Sequence, residues 1–163
     1  MKLFEKTVIG KPEQWLVEAA KAAGLNISGF THEITNYFVS HSIKRHGNVE
    51  TEKAQGQISV TLADFERIPD IVKHPDCTII NIKRNRGTLI AYSKRFEEGT
   101  IIYYEEVLDG KRNKALRSKT IYKKKGTVKK DTFLKIVSNN ARTDVSQIKM
   151  VVGAGGNPGG EAD

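Results

Sequence analysis

The stretch TIINIKRNRGTLIAYSKRFEEGTIIYYEEVLDGKRNKALRSKTIYK, residues 78–123, decides the fold. Four runs rich in β-branched and aromatic residues, Thr78 to Lys83, Thr88 to Phe96, Thr100 to Leu108 and Lys114 to Lys123, are separated by Arg84-Asn-Arg-Gly87, Glu97-Glu-Gly99 and Asp109-Gly110. Such side chains fit a pleated surface, and short Gly-containing turns close hairpins. The expectation is an antiparallel meander of four strands. On its last run, simple alternation puts Leu116, Ser118, Thr120 and Tyr122 on one face and Ala115, Arg117, Lys119 and Ile121 on the other, so Thr120 and Tyr122 address the same space. Glu105 and Glu106 must likewise split between faces. The inward carboxylate either orients a cation of a site or makes a cross-strand ion pair.

Upstream the period becomes helical. Trp15, Leu16, Ala19, Ala20 and Ala23 recur at helix spacing between Pro12 and Gly24, and a second helix is expected from about Ile34 to His46, stopped by Gly47. At 100° per residue, Ile34, Tyr37, Phe38, His41 and Arg45 share one side of it, with Lys44 beside them. Val39, Ile43 and His46 share the other, so the two histidines point different ways. Leu25 to Phe30 reads as extended, Thr51 to Gln55 as a loop and Gln57 to Val60 as a short strand. Thr61 with Asp64 resembles a capping pair opening a helix over Leu62 to Arg67, followed by a turn from Pro69 to Lys73. A last helix is expected over Lys130 to Ser138. Residues 1–152 make one domain, and 153–163 a flexible Gly-rich tail.

The 163 residues carry 27 Lys and Arg against 19 Asp and Glu, a net charge of +8. Such a surface attracts polyanions, be they nucleic acid, acidic lipid or an acidic protein, although a merely solvated basic surface fits the charge as well. Cys77 is the single cysteine, so no internal disulfide forms, and the Cys and His spacing of structural zinc sites is missing. No apolar run approaches the ~20 residues of a membrane span, and no signal-type apolar region follows the start. The expected setting is a reducing cell interior, a cytoplasm.

Chemistry concentrates in two stretches, His41-Ser-Ile-Lys44-Arg45-His46-Gly47 and Arg117-Ser-Lys119-Thr120-Ile-Tyr122-Lys123. Imidazoles exchange protons near neutral pH, cations hold a phosphate, and a ring stacks on a base. Each residue also has a plainer reading: His41 as a packed ring beside Tyr37 and Phe38, His46 as a helix-end cation, Thr120 as a strand former. Lys94 with Tyr92 reads as a weaker phosphate contact or a solvated face. His32 and His74 read as surface residues in loops.

These two stretches, together with Gly56-Gln-Ile-Ser-Val-Thr-Leu-Ala-Asp64-Phe65-Glu-Arg-Ile-Pro69-Asp-Ile-Val, Tyr92-Ser-Lys94-Arg95-Phe96 and Tyr103-Tyr104-Glu105-Glu106-Val107, resemble the phage-associated nuclease-like domains grouped with barnase, EndoU, the tRNase colicins and the RelE toxin. The resemblance is strongest over residues 30–125. It implies an α+β fold, N-terminal helices packed on a four-stranded antiparallel meander, and an endoribonuclease of prophage or toxin origin that needs no metal or other cofactor. The implied reaction is attack by a ribose 2′-hydroxyl, leaving a 2′,3′-cyclic phosphate. Carried over, His46 and His41 are the base and acid, and Thr120 bonds a phosphate oxygen. Lys44, Arg117, Lys119 and Lys94 supply charge, and Tyr122 stacks. The implied partners are RNA, with tRNA one candidate, and an acidic immunity protein or antitoxin. The competing functions are an RNA-binding module of the same fold without cleavage and a phage accessory domain that binds protein.

Overall fold

The computed structural model of the chain describes residues 5–139 and 148–153; the Gly-rich tail expected after residue 153 lies outside the described residues. The elements run β1 (Lys6–Gly10), α1 (Gln14–Ala22), β2 (Thr31–Thr35), α2 (Asn36–His46), α3 (Val49–Ala54), β3 (Gln57–Ile58), α4 (Leu62–Glu66), α5 (Ile68–Lys73), β4 (Cys77–Arg84), β5 (Gly87–Phe96), β6 (Gly99–Gly110), β7 (Asn113–Lys124), α6 (Lys130–Asn139) and β8 (Lys149–Val152). The fold is mixed α+β, and its sheet has eight strands rather than four. The order is β1-β2-β7-β6-β5-β4-β8, with β3 paired to the end of β7. The strands β4 to β7 neighbour one another in sequence order and run antiparallel, whereas β2 runs parallel to β7.

Two cores lie on opposite faces of this sheet, because side chains alternate along each strand. One face carries Ile90, Tyr92, Ile101, Tyr103, Leu116 and Ile121 and is covered by α1, α2, α4 and α5 through Leu16, Ala20, Phe38, Phe65, Ile68 and Ile71. The other carries Ile79, Ile82, Leu89, Ala91, Ile102 and Tyr104 and meets α6 through Phe133 and Val137. Helices α4 and α5 join at Arg67 as Pro69 requires, and Thr61 and Asp64 form the expected capping box.

Several local expectations change. Thr51 to Gln55 is largely helix, because Asn48 caps α3 by accepting from Thr51 N at 2.9 Å. His32 is not a surface loop residue: it lies in β2 and is 2% exposed. Simple alternation fails on β7, where Tyr104 faces Thr120 and Glu105 faces Ser118, leaving Lys119 as an extra residue. This bulge reverses the alternation beyond it. Leu116 and Ile121, five apart, therefore point to the same core, and Tyr122 packs on the other.

Lys123 lies near the end of β7. It is buried, with its ammonium 2.9 and 3.1 Å from the two oxygens of buried Asp64 and 3.3 Å from Glu98. Arg67 completes this cluster, donating to Glu98 at 2.6 Å and Asp64 at 3.2 Å while lying over the Phe96 ring. The Arg67 hydrogen bond is the main cause holding the Glu98 carboxyl down to about 2. A carboxyl lowered on folding adds stability above its ordinary value of 4.5 and loses it as pH falls toward 2. The melting temperature of the wild type is therefore expected to fall more steeply between about pH 4.5 and 2 than that of Glu98→Gln; parallel curves would contradict this. Phe133→Ala is expected to cost ~3–5 kcal/mol in urea unfolding, the usual cost of emptying a buried aromatic site.

Candidate functional site

A cleft of about 610 Å³ opens where α2 meets β7 and the β4–β5 turn. Its position follows from pairing. Strand β2 pairs with β7 only over Ala115 to Arg117, and β3 only over Lys123 and Lys124. Between them the outer edge of β7 has no strand partner among the described residues, and α2 lies against it. Helix α2 starts where β2 ends, because the Thr35 hydroxyl accepts from Phe38 N at 3.0 Å. It stops at Gly47, where a Cβ would come within 2.5 Å of the Ile43 carbonyl oxygen.

From α2 the cleft receives Tyr37, His41 and Arg45, and from β7 Arg117, Ser118, Lys119 and Thr120. The β4–β5 turn adds Arg84, Asn85 and Arg86; Asn85 takes the positive φ of 56° that this tight turn needs. Glu106, paired across strands with Arg117, is the one carboxylate in the lining among the described residues. The imidazole of His41 stacks on Tyr37, centroids 5.4 Å apart and planes within 12°. Arg117 is held by Glu33, which accepts from its Nη2 at 3.0 Å and its Nε at 3.3 Å and also receives Lys6 at 3.2 Å.

Under this cleft lies a buried polar network. Glu105, with no solvent exposure, accepts from the Tyr92 hydroxyl at 2.6 Å and the Tyr103 hydroxyl at 3.3 Å, and His32 Nδ1 lies 2.6 Å away. Burial, and then the Glu105 charge, hold both phenols well above their ordinary range, so they stay protonated as donors. The Tyr103 and Ser118 hydroxyls are 2.5 Å apart, and Ser118 donates to the Glu33 carbonyl at 3.2 Å. Three strands are thereby tied to the residue that precedes the bulge.

The residues singled out from the sequence thus divide. His41, Thr120, Arg117 and Lys119 share the cleft. His46 is not in its lining: five residues along α2, ~7.5 Å in rise, it lies against Tyr122, ring centroids 5.9 Å apart, with Nδ1 3.1 Å from Glu52. Tyr122 is correspondingly half-buried between His46 and the α6 core. Lys44 is exposed and outside the lining. Lys94 donates to the His74 carbonyl at 2.6 Å, some five residues or ~17 Å along β5 from Leu89, that strand's contribution to the cleft wall. Arg45, Arg84, Arg86, Glu106 and Tyr37 were not assigned to a site from the sequence. The two arginines flanking Asn85 were a legible signal, since a hairpin turn in a basic chain rarely needs both for folding alone. Among the described residues no three His, Cys, Asp or Glu side chains gather as metal ligands.

An arginine-lined cleft holding an imidazole, a hydroxyl and one carboxylate suits a phosphodiester chemically. The chain belongs to the family described as phage-Barnase-EndoU-ColicinE5/D-RelE like nuclease3, whose model matches residues 10–131. Comparison with curated proteins and with solved structures finds no match.

Removing the Tyr103 hydroxyl takes a donor from Glu105 and a hydrogen-bond partner from Ser118 in a buried setting. Tyr103→Phe is expected to lower stability by ~1–3 kcal/mol in urea unfolding; an unchanged midpoint would show that the network contributes nothing net.

Proposed function

We propose that the protein is a metal-independent endoribonuclease, a phage-encoded or toxin-type effector. The observation that carries this reading is the cleft itself, in which His41 and Thr120 stand among Arg45, Arg84, Arg86, Arg117 and Lys119. In the proposed reaction a ribose 2′-oxygen attacks the adjacent phosphorus while a base removes its proton. The bond from phosphorus to the 5′-oxygen breaks, and an acid protonates that oxygen, leaving a 2′,3′-cyclic phosphate and a 5′-hydroxyl. The arginines bind the phosphate as charge grows on its oxygens, and Thr120 donates to a nonbridging one. His41 is one proton carrier, and Tyr37, 49% exposed at the rim, offers a surface for a base.

His46 is the second proton carrier in this reading, reached by RNA lying along the seam between α2 and β7, where Tyr122 follows Thr120 on the same sheet face. A second assignment gives that role to Glu106, favoured by its presence in the lining. We take strands β4 to β7 as the meander shared with the family and the remaining strands as additions to it. Five cations against one carboxylate also make the cleft a fit for an acidic immunity protein or antitoxin, and a bacterial or infected-cell cytoplasm is the proposed place of action.

The test is cleavage of tRNA and of single-stranded RNA in EDTA. The wild type is expected to release cyclic-phosphate ends, and His41→Ala to be ~10²–10⁴-fold slower. Of His46→Ala and Glu106→Gln, the larger loss identifies the second carrier. An inert wild type would leave RNA binding without cleavage. Arg84→Ala and Arg86→Ala are each expected to flatten the dependence of log affinity on log salt by ~0.7 for single-stranded RNA, measured by anisotropy; an unaltered slope would remove the turn from the binding face.

A further inference from the structure

Glu52 is 1% exposed in a short helix, and its one partner is His46: Oε1 lies 3.1 Å from the ring Nδ1, while Oε2 has no hydrogen-bond partner among the described residues. A buried carboxylate is costly, and one satisfied on a single side is costlier still. Local structure that departs from best packing marks places where another demand is met. The elements around it are built to keep the contact. Asn48 caps α3 directly after α2, and Val60 N donates to the His46 carbonyl at 2.7 Å, fixing the end of α2 that carries the imidazole.

We propose that Glu52 is a positioning residue that sets the tautomer and direction of the His46 ring. A carboxylate accepting from Nδ1 holds the ring proton on that nitrogen, so the neutral ring keeps its lone pair on Nε2. About a fifth of the His46 side chain remains open to solvent, enough for that nitrogen to meet a substrate hydroxyl. The ring's tilted contact with Tyr122 braces it from the strand side. In a histidine side chain without such a partner the proton prefers Nε2, so without Glu52 the acceptor nitrogen would be Nδ1, on the side where Glu52 now lies. The catalytic consequence rests on the ribonuclease reading and on His46 being a proton carrier; the tautomer does not.

Two measurements separate these. Nitrogen-15 NMR of the His46 ring, at a pH where it is neutral, is expected to show protonated Nδ1 and bare Nε2 in the wild type. Glu52→Ala is expected to shift the population toward protonated Nε2, with Glu52→Asp closer to wild type. An identical ring spectrum in folded wild type and Glu52→Ala overturns the proposal whether or not the protein cuts RNA. In RNA cleavage, Glu52→Ala is expected to lower kcat at least 10-fold with KM within about 2-fold, and to add nothing in a His46→Ala background. An equal loss in both backgrounds would mean that Glu52 acts on stability alone and overturns the catalytic part.

Discussion

The carboxylate of Glu105 is wholly buried where β2, β5, β6 and β7 come together, and a group of that kind persists only when donors surround it. Tyr92 donates to it from β5, His32 Nδ1 approaches it to 2.6 Å from β2, and Tyr103 links it to Ser118. Ser118 in turn reaches the Glu33 backbone, which holds β2 in parallel register on β7. Two features of the cleft descend from that contact. The end of β2 fixes the cap of α2, and so the direction in which Tyr37 and His41 leave the sheet. The next residue of β7 is the bulged Lys119, which turns Thr120 away from the helical core and toward the cleft.

Electrostatics then divides the molecule. Away from the cleft, several cations are held in structural pairs: Lys123 and Arg67 with Asp64 and Glu98, Lys114 with Asp109. At the cleft, five cations meet only Glu106 in the lining, although Arg117 is steadied by Glu33 beneath it. Arg117, held by Glu33 before any ligand arrives, is the cleft cation that needs least rearrangement to meet an anion.

The strands β4 to β7 were legible because turn chemistry and β-rich runs agree over 46 residues, α1, α2 and α6 because their apolar spacing is helical, and α4 because Thr61 and Asp64 have capping spacing. What escaped reading was of another kind. The strand β2 joins the sheet through contacts 84 residues away, such as Glu33 with Arg117, and no local pattern announces them. The bulge at Lys119 is a register effect between two strands, invisible in either alone, and it overturned the face assignment on β7. Glu52 looked like one polar residue in a polar loop; its burial depends on α3 packing against α2 and β3. His41 and Thr120 were found as chemistry, whereas Arg84 and Arg86 were seen only as a turn. A turn's direction in space is set by strand twist rather than by its own residues.

Most direct would be a crystal structure with a short RNA carrying a 2′-deoxy substitution at the scissile position, so that cleavage is blocked. The scissile phosphate is expected between Arg84, Arg86 and Thr120, with an imidazole of α2 within hydrogen-bond reach of one of its ester oxygens. RNA bound elsewhere, with that cleft empty at saturating ligand, would contradict the assignment of the α2–β7 seam as the site of reaction.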